Sequence, residues 1–537
     1  MKKIVLLLLL VSAYARAQEE AWVYFTDKPD SAYYLANPLE MLSQKALDRR
    51  TAQGIALDGK DTPIHPDYIA AVTAANGITV KAKSKWLNAL HIRGTQNAIN
   101  ALVTFAFVDH VDFANNALDP IGRRAPAKKR HASAQKTQQT QQNFSYGTSG
   151  SQVQMLNGHL LHQQGYTGTG MTIAVLDAGF PGADTIPQLQ HLFDNSLVLG
   201  GHNLVAQSDE LYTGGTHGTL VLSTIAGHAE GELVGTAPDA FYYLFVTEDP
   251  TGENPVEESY WVEAAEMADS LGVDVINTSL GYFNYDNADY SYTYDDMDGE
   301  TAFISRGAKV AFSRGLFLVT AAGNSGATDH PHIGVPADAI NTFTVGAVDN
   351  AEQYANFSSI GPSADGRIKP DVMAMGQGAT YATASGTIAT GNGTSFSSPI
   401  TAGLVACLWQ ALPGKTNAQL LQLIKQSADR YNTPTSQYGY GIPDFSIALQ
   451  NGLDTANVVK QGMYLYPNPA KSVVNVAFLN GNTTAFVILY NNLGQVVGQQ
   501  NVTADKSVFS IENLPTGIYS YKLSAGTESR TGKLVKQ

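Results

Sequence analysis

Short apolar runs that alternate with helical stretches constrain the fold of this chain more than any other feature. Between residues 147 and 457 the apolar runs are Met171–Leu176, Phe241–Val246, Val273–Asn277, Leu316–Ala321 and Phe343–Val348. Helical patterning occupies Gly218–Gly227, Glu258–Leu271, Thr301–Arg314, Ile400–Leu412 and Asn417–Ser427. Strands that are apolar on both faces are typical of parallel sheets covered by helices. The pattern predicts an α/β domain with a mostly parallel sheet, whose functional residues lie at the carboxyl ends of strands.

The flanking sequence differs in texture, and 537 residues are too many for one compact domain. Residues 18–117 follow a β-α-β-β-α-β order with an extra helix, which predicts a ferredoxin-like α+β domain. Residues 118–146 carry the basic clusters Arg123-Arg124 and Lys128–Arg130 and then a Gln-rich stretch, and this composition cannot bury a core. Residues 458–537 contain short alternating runs separated by Gly, Asn and Pro, which predicts an all-β sandwich.

The amino terminus has the pattern of a secretory signal peptide over residues 1–17. Lys2 and Lys3 precede the apolar run Ile4–Ala13, and Ala15-Arg-Ala17 supplies a cleavage site. This run is too short to span a bilayer, and no other apolar run is long enough to do so, so we expect no transmembrane segment. The formal net charge of −14 argues against nucleic-acid binding. These features predict a soluble protein that is secreted.

Three segments carry residues suited to nucleophilic catalysis. Asp177 ends an apolar strand, His217 lies between glycines at the start of a helix, and Ser395 lies in a Gly-Thr-Ser turn ahead of a helix. Pro399 suits the first turn of that helix, where a missing N–H costs nothing. Taken singly, each segment also has an ordinary structural explanation, as a cap, a structural histidine or a turn.

The order Asp, His, Ser along the chain is the subtilisin order of the catalytic triad. Val175-Leu-Asp-Ala-Gly179, His217-Gly-Thr219 and Gly393-Thr-Ser-Phe-Ser-Ser-Pro399 together resemble the motifs of the subtilisin-like serine peptidases, the subtilases. One departure is Ala178, where subtilases usually have Thr or Ser. The resemblance implies Asp177, His217 and Ser395 as the catalytic residues.

The same resemblance implies further site residues. Ala321-Ala-Gly-Asn324 resembles the segment with the oxyanion-hole asparagine, so Asn324 and the backbone N–H of Ser395 are the expected oxyanion donors. Ser279, Leu280 and Gly281, together with Gly323, are the expected substrate-binding residues. An extended substrate pairs with such a segment through main-chain hydrogen bonds.

The flanking regions also fit this family. A ferredoxin-like segment ahead of a subtilase implies a pro-segment that blocks the active site, and residues 118–146 are then a processing linker rather than a solvated tether. Near the carboxyl terminus, four motifs resemble the sorting domain of the type IX secretion system of Bacteroidetes: Tyr466-Pro-Asn-Pro-Ala470, Leu489-Tyr-Asn-Asn-Leu-Gly494, Leu514-Pro-Thr-Gly-Ile-Tyr519 and Gly532-Lys-Leu-Val-Lys536. The alternative is a generic accessory β-sandwich.

An acidic insertion follows Gly281. Its carboxylates are Asp286, Asp289, Asp295, Asp296, Asp298 and Glu300. A solvated loop, a calcium site and a negative rim that favours cationic substrates are the three interpretations. His159/His162 and His330/His332 lack a zinc ligand set. We therefore expect no metal and no cofactor in the chemistry, and a structural calcium ion lacks support from spacing.

The sequence thus predicts a secreted serine endopeptidase that acts on proteins or peptides, with its own pro-segment and the secretion machinery as partners. An esterase that uses the same triad is a second hydrolase interpretation. A catalytically silent adhesion or binding protein on the same fold is the alternative from another class.

Overall fold

The computed structural model describes residues 18–118, 143–458, 463–466, 470–478, 484–491, 494–503, 507–525 and 528–536. The predicted signal peptide and nearly all of the predicted linker lie outside these residues. The chain divides into two compact units, Met1–Leu449 and Gln450–Gln537, and each is described by itself.

The first part of the larger unit is the predicted α+β domain. Its elements are β1 (Gln18–Phe25), α1 (Ser31–Ala36), α2 (Gln44–Ala52), α3 (Pro66–Thr73), β2 (Ile78–Ser84), β3 (Ala89–Thr95), α4 (Gln96–Ala101) and β4 (Val108–Phe113). The strands form an antiparallel sheet in the order β2-β3-β1-β4, which confirms the ferredoxin-like arrangement. Helix α1 is additional to the three helices of the predicted pattern, and a 3₁₀ turn, Pro38–Glu40, precedes α2.

The second part is the α/β domain. Its strands are β5 (Thr172–Asp177), β6 (Val198–Asn203), β7 (His228–Ala229), β8 (Leu233–Val234), β9 (Phe241–Val246), β10 (Val275–Thr278), β11 (Phe317–Ala321), β12 (Phe343–Val348), β13 (Val372–Met375), β14 (Gln377–Ala382) and β15 (Ile388–Asn392). Its helices are α5 (Gly150–Gln154), α6 (Gly158–His162), α7 (Gln190–Asp194), α8 (His217–Ala226), α9 (Val256–Leu271), α10 (Phe303–Ser313), α11 (Thr394–Ala411), α12 (Asn417–Ser427) and α13 (Phe445–Val458).

Seven parallel strands form the central sheet in the order β13-β12-β11-β10-β5-β9-β6. The five predicted strands are its five inner members, and their side chains are almost all buried. The edge strands β6 and β13 were missed. Strand β6 reads Val-Leu-Gly-Gly-His-Asn and is half exposed, so it lacks the continuous apolar run of a buried strand.

Helix α11 corrects the sequence prediction at the Gly-Thr-Ser segment. The helix begins at Thr394 rather than near Ile400, so Ser395 is its second residue. Its first five residues, Thr394–Ser398, are mostly small and polar, and such residues predict a turn when the sequence is taken alone. Pro399 is consequently the sixth residue of the helix and lies beyond the first turn, contrary to expectation.

The β2-β3-β1-β4 sheet of the first part packs on α9 and α10 of the second. Trp22 stacks on Phe303 of α10 with ring centroids 5.1 Å apart, and its Nε1 donates to Ser259 of α9 at 2.8 Å. Glu266 of α9 accepts hydrogen bonds from the backbone N–H groups of Lys85 at 2.8 Å and Trp86 at 2.9 Å. Apolar stacking and charge-assisted bonds therefore both join the two parts.

Beyond the end of α13, the smaller unit is an all-β module, as predicted. Its strands are β16 (Met463–Tyr466), β17 (Val473–Phe478), β18 (Thr484–Tyr490), β19 (Val496–Thr503), β20 (Val508–Ser510), β21 (Gly517–Ala525) and β22 (Glu528–Lys536). They form the antiparallel sheets β16-β17-β20 and β19-β18-β21-β22, which share one apolar core, and β16 was not predicted. Across the part of the chain that the structure describes, no helix combines the length and apolar character that a bilayer crossing requires.

Candidate active site

The three predicted catalytic residues lie on separate elements at the carboxyl edge of the central sheet. Asp177 is the last residue of β5, His217 is the first residue of α8, and Ser395 is the second residue of α11. His217 and Ser395 line a cavity of about 660 Å³, and Asp177 is fully buried behind them. The fold therefore assembles residues that are 40 and 178 positions apart in sequence.

Asp177 orients the imidazole of His217. Its Oδ1 accepts a hydrogen bond from His217 Nδ1 at 2.8 Å and another from the backbone N–H of Ala178 at 2.8 Å. An ionised carboxylate only accepts, so the proton is on Nδ1 and the lone pair of Nε2 is free to act as a base. The negative charge of Asp177 raises the pKa of His217 above its usual value and outweighs the opposing effect of burial.

The second carboxylate oxygen of Asp177 accepts fewer hydrogen bonds than the first. Oδ2 is buried and has no hydrogen-bond partner among the described residues. The next residue is Ala178, and the Thr or Ser that subtilases usually carry there would bring a hydroxyl donor beside this carboxylate. The departure noted in the sequence thus coincides with an unsatisfied oxygen in the site.

Ser395 is placed where its N–H and hydroxyl are both available. The first four N–H groups of a helix have no partner within the helix, and the helix dipole adds partial positive charge there. Within the described residues, Ser395 Oγ makes no hydrogen bond to His217. Such bonds are often long without substrate and shorten when substrate binds.

Asn324 directs its amide N–H₂ group towards the same space. Its Oδ1 accepts from the backbone N–H of Thr394 at 2.9 Å and from Thr394 Oγ1 at 3.0 Å. Because both bonds go to the carbonyl side of the carboxamide, Nδ2 remains free as a donor.

Gly393 marks the point on which these groups converge. An ideal Cβ built on Gly393 would lie 3.7 Å from Ser395 N, 3.7 Å from Ser395 Oγ and 3.8 Å from Asn324 Nδ2. One small volume is therefore bordered by the Ser395 hydroxyl and two neutral hydrogen-bond donors, an arrangement with which a site can bind an oxyanion.

The predicted substrate-binding residues line the cavity. Ser279, Leu280 and Gly281 follow β10, and Gly323 lies just before Asn324. Tyr282 continues the segment by pairing with Val335, with backbone N···O distances of 2.8 and 3.0 Å. The Ser279 side chain has a second contact, because its Oγ donates to the backbone carbonyl of Ser395 at 2.9 Å.

One feature of the cavity was missed from the sequence. The carboxylates of Glu248, Glu253 and Glu257 lie within 4.8 Å of one another in the wall of the cavity, on the loop after β9 and the start of α9. Burial raises the pKa of Glu248 to about 8 and, with help from the charge of Glu248, the pKa of Glu257 to about 9. Glu248 directly follows Thr247 at the carboxyl end of a predicted strand, so its place in the fold was available as a signal.

Part of the acidic insertion lines the cavity. Asp286 is in the wall, whereas Asp296 and Asp298 accept hydrogen bonds from neighbouring backbone N–H groups and Glu300 pairs with Lys309. Three clustered carboxylates suit a hard cation. In the described residues this cluster belongs to the 248–257 segment. Structural calcium in the acidic insertion stays one of three untested interpretations of its sequence.

Three parts of the chain match known protein families in sequence. The sequence model of the Subtilase family matches residues 168–441. A peptidase S8 propeptide domain of Bacteroidota matches residues 20–136, and a secretion system C-terminal sorting domain matches residues 464–537.

Individual relatives point to the same family. Subtilisin NAT of Bacillus subtilis subsp. natto is 33% identical over 301 residues, which are 56% of this chain and 70% of the relative. The subtilisin of Bacillus pumilus is 33% identical over 56% of this chain and 98% of its own length. Among solved structures, the MycP3 protease from the type VII (ESX-3) secretion system aligns with a TM-score of 0.45 and 21% identity, over 57% of this chain and 88% of its own. The chain therefore belongs to the subtilase family and is a secreted subtilisin-like serine endopeptidase with a propeptide domain and a C-terminal sorting domain.

Proposed function

We propose that this peptidase cleaves peptide bonds through the triad Asp177, His217 and Ser395 and an acyl-enzyme intermediate. The convergence of Ser395 Oγ, Ser395 N and Asn324 Nδ2 on the space beside Gly393 is the observation that carries the proposal. His217 Nε2 takes the proton of Ser395 as the hydroxyl attacks the substrate carbonyl. Asp177 holds the imidazole and stabilises its protonated form.

The remaining steps use the same groups. Asn324 Nδ2 and the N–H of Ser395 donate to the oxyanion of the tetrahedral intermediate. His217 then gives its proton to the leaving amine, and a water molecule activated by His217 hydrolyses the ester on Ser395. No step in this sequence requires a metal ion or an organic cofactor.

Substrate binding is proposed at the walls of the cleft. The main chain of Ser279, Leu280 and Gly281 pairs with an extended peptide, and Gly323 lies beside the scissile bond. An open cleft of this kind favours peptides over small esters.

We further propose a domain organisation that follows the sequence prediction. Residues 1–17 form a signal peptide, 18–117 a pro-segment that inhibits the enzyme, 118–146 a processing linker, 147–457 the peptidase domain and 458–537 the sorting domain. The packing of the pro-segment on α9 and α10 supports an intramolecular inhibitor, and the sorting-domain match supports a partnership with the secretion machinery.

A fluorophosphonate probe tests the proposal directly. We expect the processed protein to be labelled covalently and the Ser395→Ala variant to remain unlabelled and inactive on casein. Hydrolysis of casein should exceed that of small esters if the enzyme is primarily a peptidase. Labelling that survives Ser395→Ala would refute the assignment of the nucleophile, and a folded, unlabelled wild-type protein would favour the binding-protein alternative.

A further inference from the structure

The carbonyl group of Ser395 lacks its normal helical partner. In an α-helix the carbonyl of residue i accepts the N–H of residue i+4. Residue 399 is a proline inside α11, and proline has no N–H. Ser279 Oγ from the end of β10 supplies the missing donor, at 2.9 Å from Ser395 O. A side chain on a different element therefore completes the hydrogen bonding of the residue that carries the nucleophile.

The hydroxyl of Ser279 is itself oriented. Asn277 Nδ2 donates to Ser279 Oγ at 3.1 Å, so the single hydroxyl proton of Ser279 is left for Ser395 O. Asn277 Oδ1 in turn accepts from Ser398 Oγ at 2.9 Å. These three hydrogen bonds form a relay from Ser395 through Ser279 and Asn277 to Ser398. Both ends of the relay lie in the first turns of α11.

Burial makes this relay consequential. Asn277 and Ser398 have no exposed surface, and Ser279 is 5% exposed. Water cannot readily replace a lost bond at such depth, so removing a donor frees the acceptor to move or leaves it unsatisfied.

We infer that Ser279 and Asn277 are positioning residues for the nucleophile: by holding the Ser395 carbonyl, they fix the orientation of the Ser395 hydroxyl and N–H. Ser395 supplies both the attacking oxygen and one oxyanion donor, so a small rotation of this residue displaces two reacting partners at once. Displacements of about 1 Å can cost about 10²-fold in rate. The inference rests on the proposed role of Ser395 and extends it to residues that make no contact with the reacting atoms.

The decisive variant is Ser279→Ala in the processed enzyme. We expect kcat to fall about 10- to 10²-fold with a much smaller change in KM, because binding through the Ser279 main chain is retained. A peptide aldehyde, whose adduct with Ser395 carries an oxyanion, should lose affinity by a similar factor. Ser279→Thr keeps the hydroxyl and should restore most of kcat.

Ser397→Ala is the matched control. Ser397 is buried in the same helical turn, but its Oγ donates to Thr394 O at 2.9 Å, within the helix and outside the relay. We expect this variant to keep the wild-type kcat even where its melting temperature falls.

Several outcomes would overturn the inference. Ser279→Ala with normal kcat and only a lower melting temperature would assign the hydroxyl to stability alone, and equal kcat losses in Ser279→Ala and Ser397→Ala would do the same. If Ser279→Ala does not fold, Ser398→Ala removes the far end of the relay, and an unchanged kcat there would count against it. Failure of the proposed function is seen separately, as activity or labelling that persists in Ser395→Ala.

Discussion

At the scale of single residues, Thr394 decides which way Asn324 presents its carboxamide. The backbone N–H and the hydroxyl of Thr394 both donate to Asn324 Oδ1, and Thr394 Oγ1 also accepts from the backbone N–H of Gly323 at 3.1 Å. Because the Asn324 carboxamide oxygen accepts both of these hydrogen bonds, the carboxamide cannot flip without breaking them. The N–H₂ group is therefore preorganised towards the oxyanion position, which is the condition under which a neutral donor is most effective.

Truncation of Asn324 should lower turnover without weakening substrate binding. For Asn324→Ala we expect kcat to fall by about 10²–10³ at nearly constant KM, a magnitude for loss of one oxyanion donor that comes from a subtilisin. Thr394→Val removes one of the two orienting bonds and should give a smaller loss. Steady-state kinetics on a peptide anilide would measure both, and a rise in KM at constant kcat would contradict the assignment.

Ala178 offers a gain of stability rather than a loss. Asp177 Oδ2 is buried without a partner, so Ala178→Ser would place a donor beside it. Satisfying a buried acceptor contributes about 1 kcal/mol, and we expect an increase of that order in the free energy of unfolding. Urea denaturation in a Ser395→Ala background avoids autolysis. Ala178→Val, which adds bulk but no donor, should give no increase, and an equal gain there would contradict the explanation.

Most of the candidate site could be predicted from the types of residue in its sequence segments. Asp177, His217, Asn324 and Ser395 were predicted because each is a chemically required group in a recognisable local segment. The bond from Ser279 to Ser395 was not predictable, since it depends on the register of Pro399 within α11 and the sequence placed the start of that helix too late. Small polar residues at a helix start are read as a turn by propensity alone, and tertiary packing overrides that preference.

At the scale of elements, the loop from β9 to α9 turns one wall of the cleft acidic. Burial raises the pKa of Glu248 to about 8 and of Glu257 to about 9, so both carboxyl groups are mostly protonated at neutral pH. Above these values the wall becomes negatively charged. A bound cationic side chain favours the ionised carboxylates, and their ionisation favours the cation in return.

Peptides with an arginine should therefore bind better as the pH rises. We expect KM for an arginine-containing peptide to fall between pH 7 and pH 9 relative to a citrulline analogue, because the guanidinium stays charged while the wall ionises. The double variant Glu248→Gln, Glu257→Gln should abolish the difference, and Glu352→Gln on the exposed surface should not. Parallel pH profiles for the two peptides in the wild type would contradict the prediction.

Element prediction succeeded where burial leaves a pattern. The five inner strands of the sheet were predicted because both faces are covered and their sequences are continuously apolar. Strand β6 was missed because it is half exposed, and helix α1 was missed because it is short and has no buried residue. The acidic wall was missed for another reason, since its three residues join only when the β9–α9 loop folds back over the cleft.

At the scale of the whole molecule, buried charge links the pro-segment to the peptidase domain. Arg50 in α2 donates to Asp61 at 2.9 Å and to Asp269 of α9 at 2.6 Å, and all three side chains are at most 2% exposed. Arg314 adds a second cation beside Asp61, at 3.2 Å. Each of these carboxylates depends on its arginine partner, because bulk water does not reach it.

Breaking this network should strongly destabilise the precursor. The double variant Arg49→Met, Arg50→Met removes both arginines that pair with Asp269 and leaves this buried carboxylate without a cation. We expect a loss of about 3–5 kcal/mol in the free energy of unfolding. Lys83→Met is the control in the same interface: Lys83 is 62% exposed and 3.6 Å from Glu263, so its loss should cost less than about 1 kcal/mol. Urea denaturation of the Ser395→Ala precursor would compare them, and similar losses for both variants would refute the role of buried charge.

The residues at both ends of the linker contact the peptidase domain, and these contacts limit where the linker can be cleaved without disrupting them. On the pro-segment side, the backbone N–H of Asn116 donates to Asp289 O at 3.0 Å. On the peptidase side, the Phe144 ring lies 5.4 Å from the rings of His162 and His228, and Ser145 N donates to Glu230 at 2.6 Å. Cleavage that preserves both sets of contacts falls between Leu118 and Phe144.

Amino-terminal sequencing of the secreted enzyme should therefore find a start between residues 119 and 144, and a start within residues 18–118 or beyond Phe144 would contradict the prediction.

An acidic cleft wall and a basic linker also suggest which residues direct the cut. Replacing Arg123, Arg124 and Lys128–Arg130 by glutamine should slow maturation in a pulse-chase experiment, because it removes the positive charge that favours ionisation of Glu248, Glu253 and Glu257 and then pairs with them. Replacing Gln138, Gln139, Gln141 and Gln142 by alanine keeps the charge and should leave the rate unchanged. If the two sets of substitutions slow maturation equally, linker charge has no special role in processing.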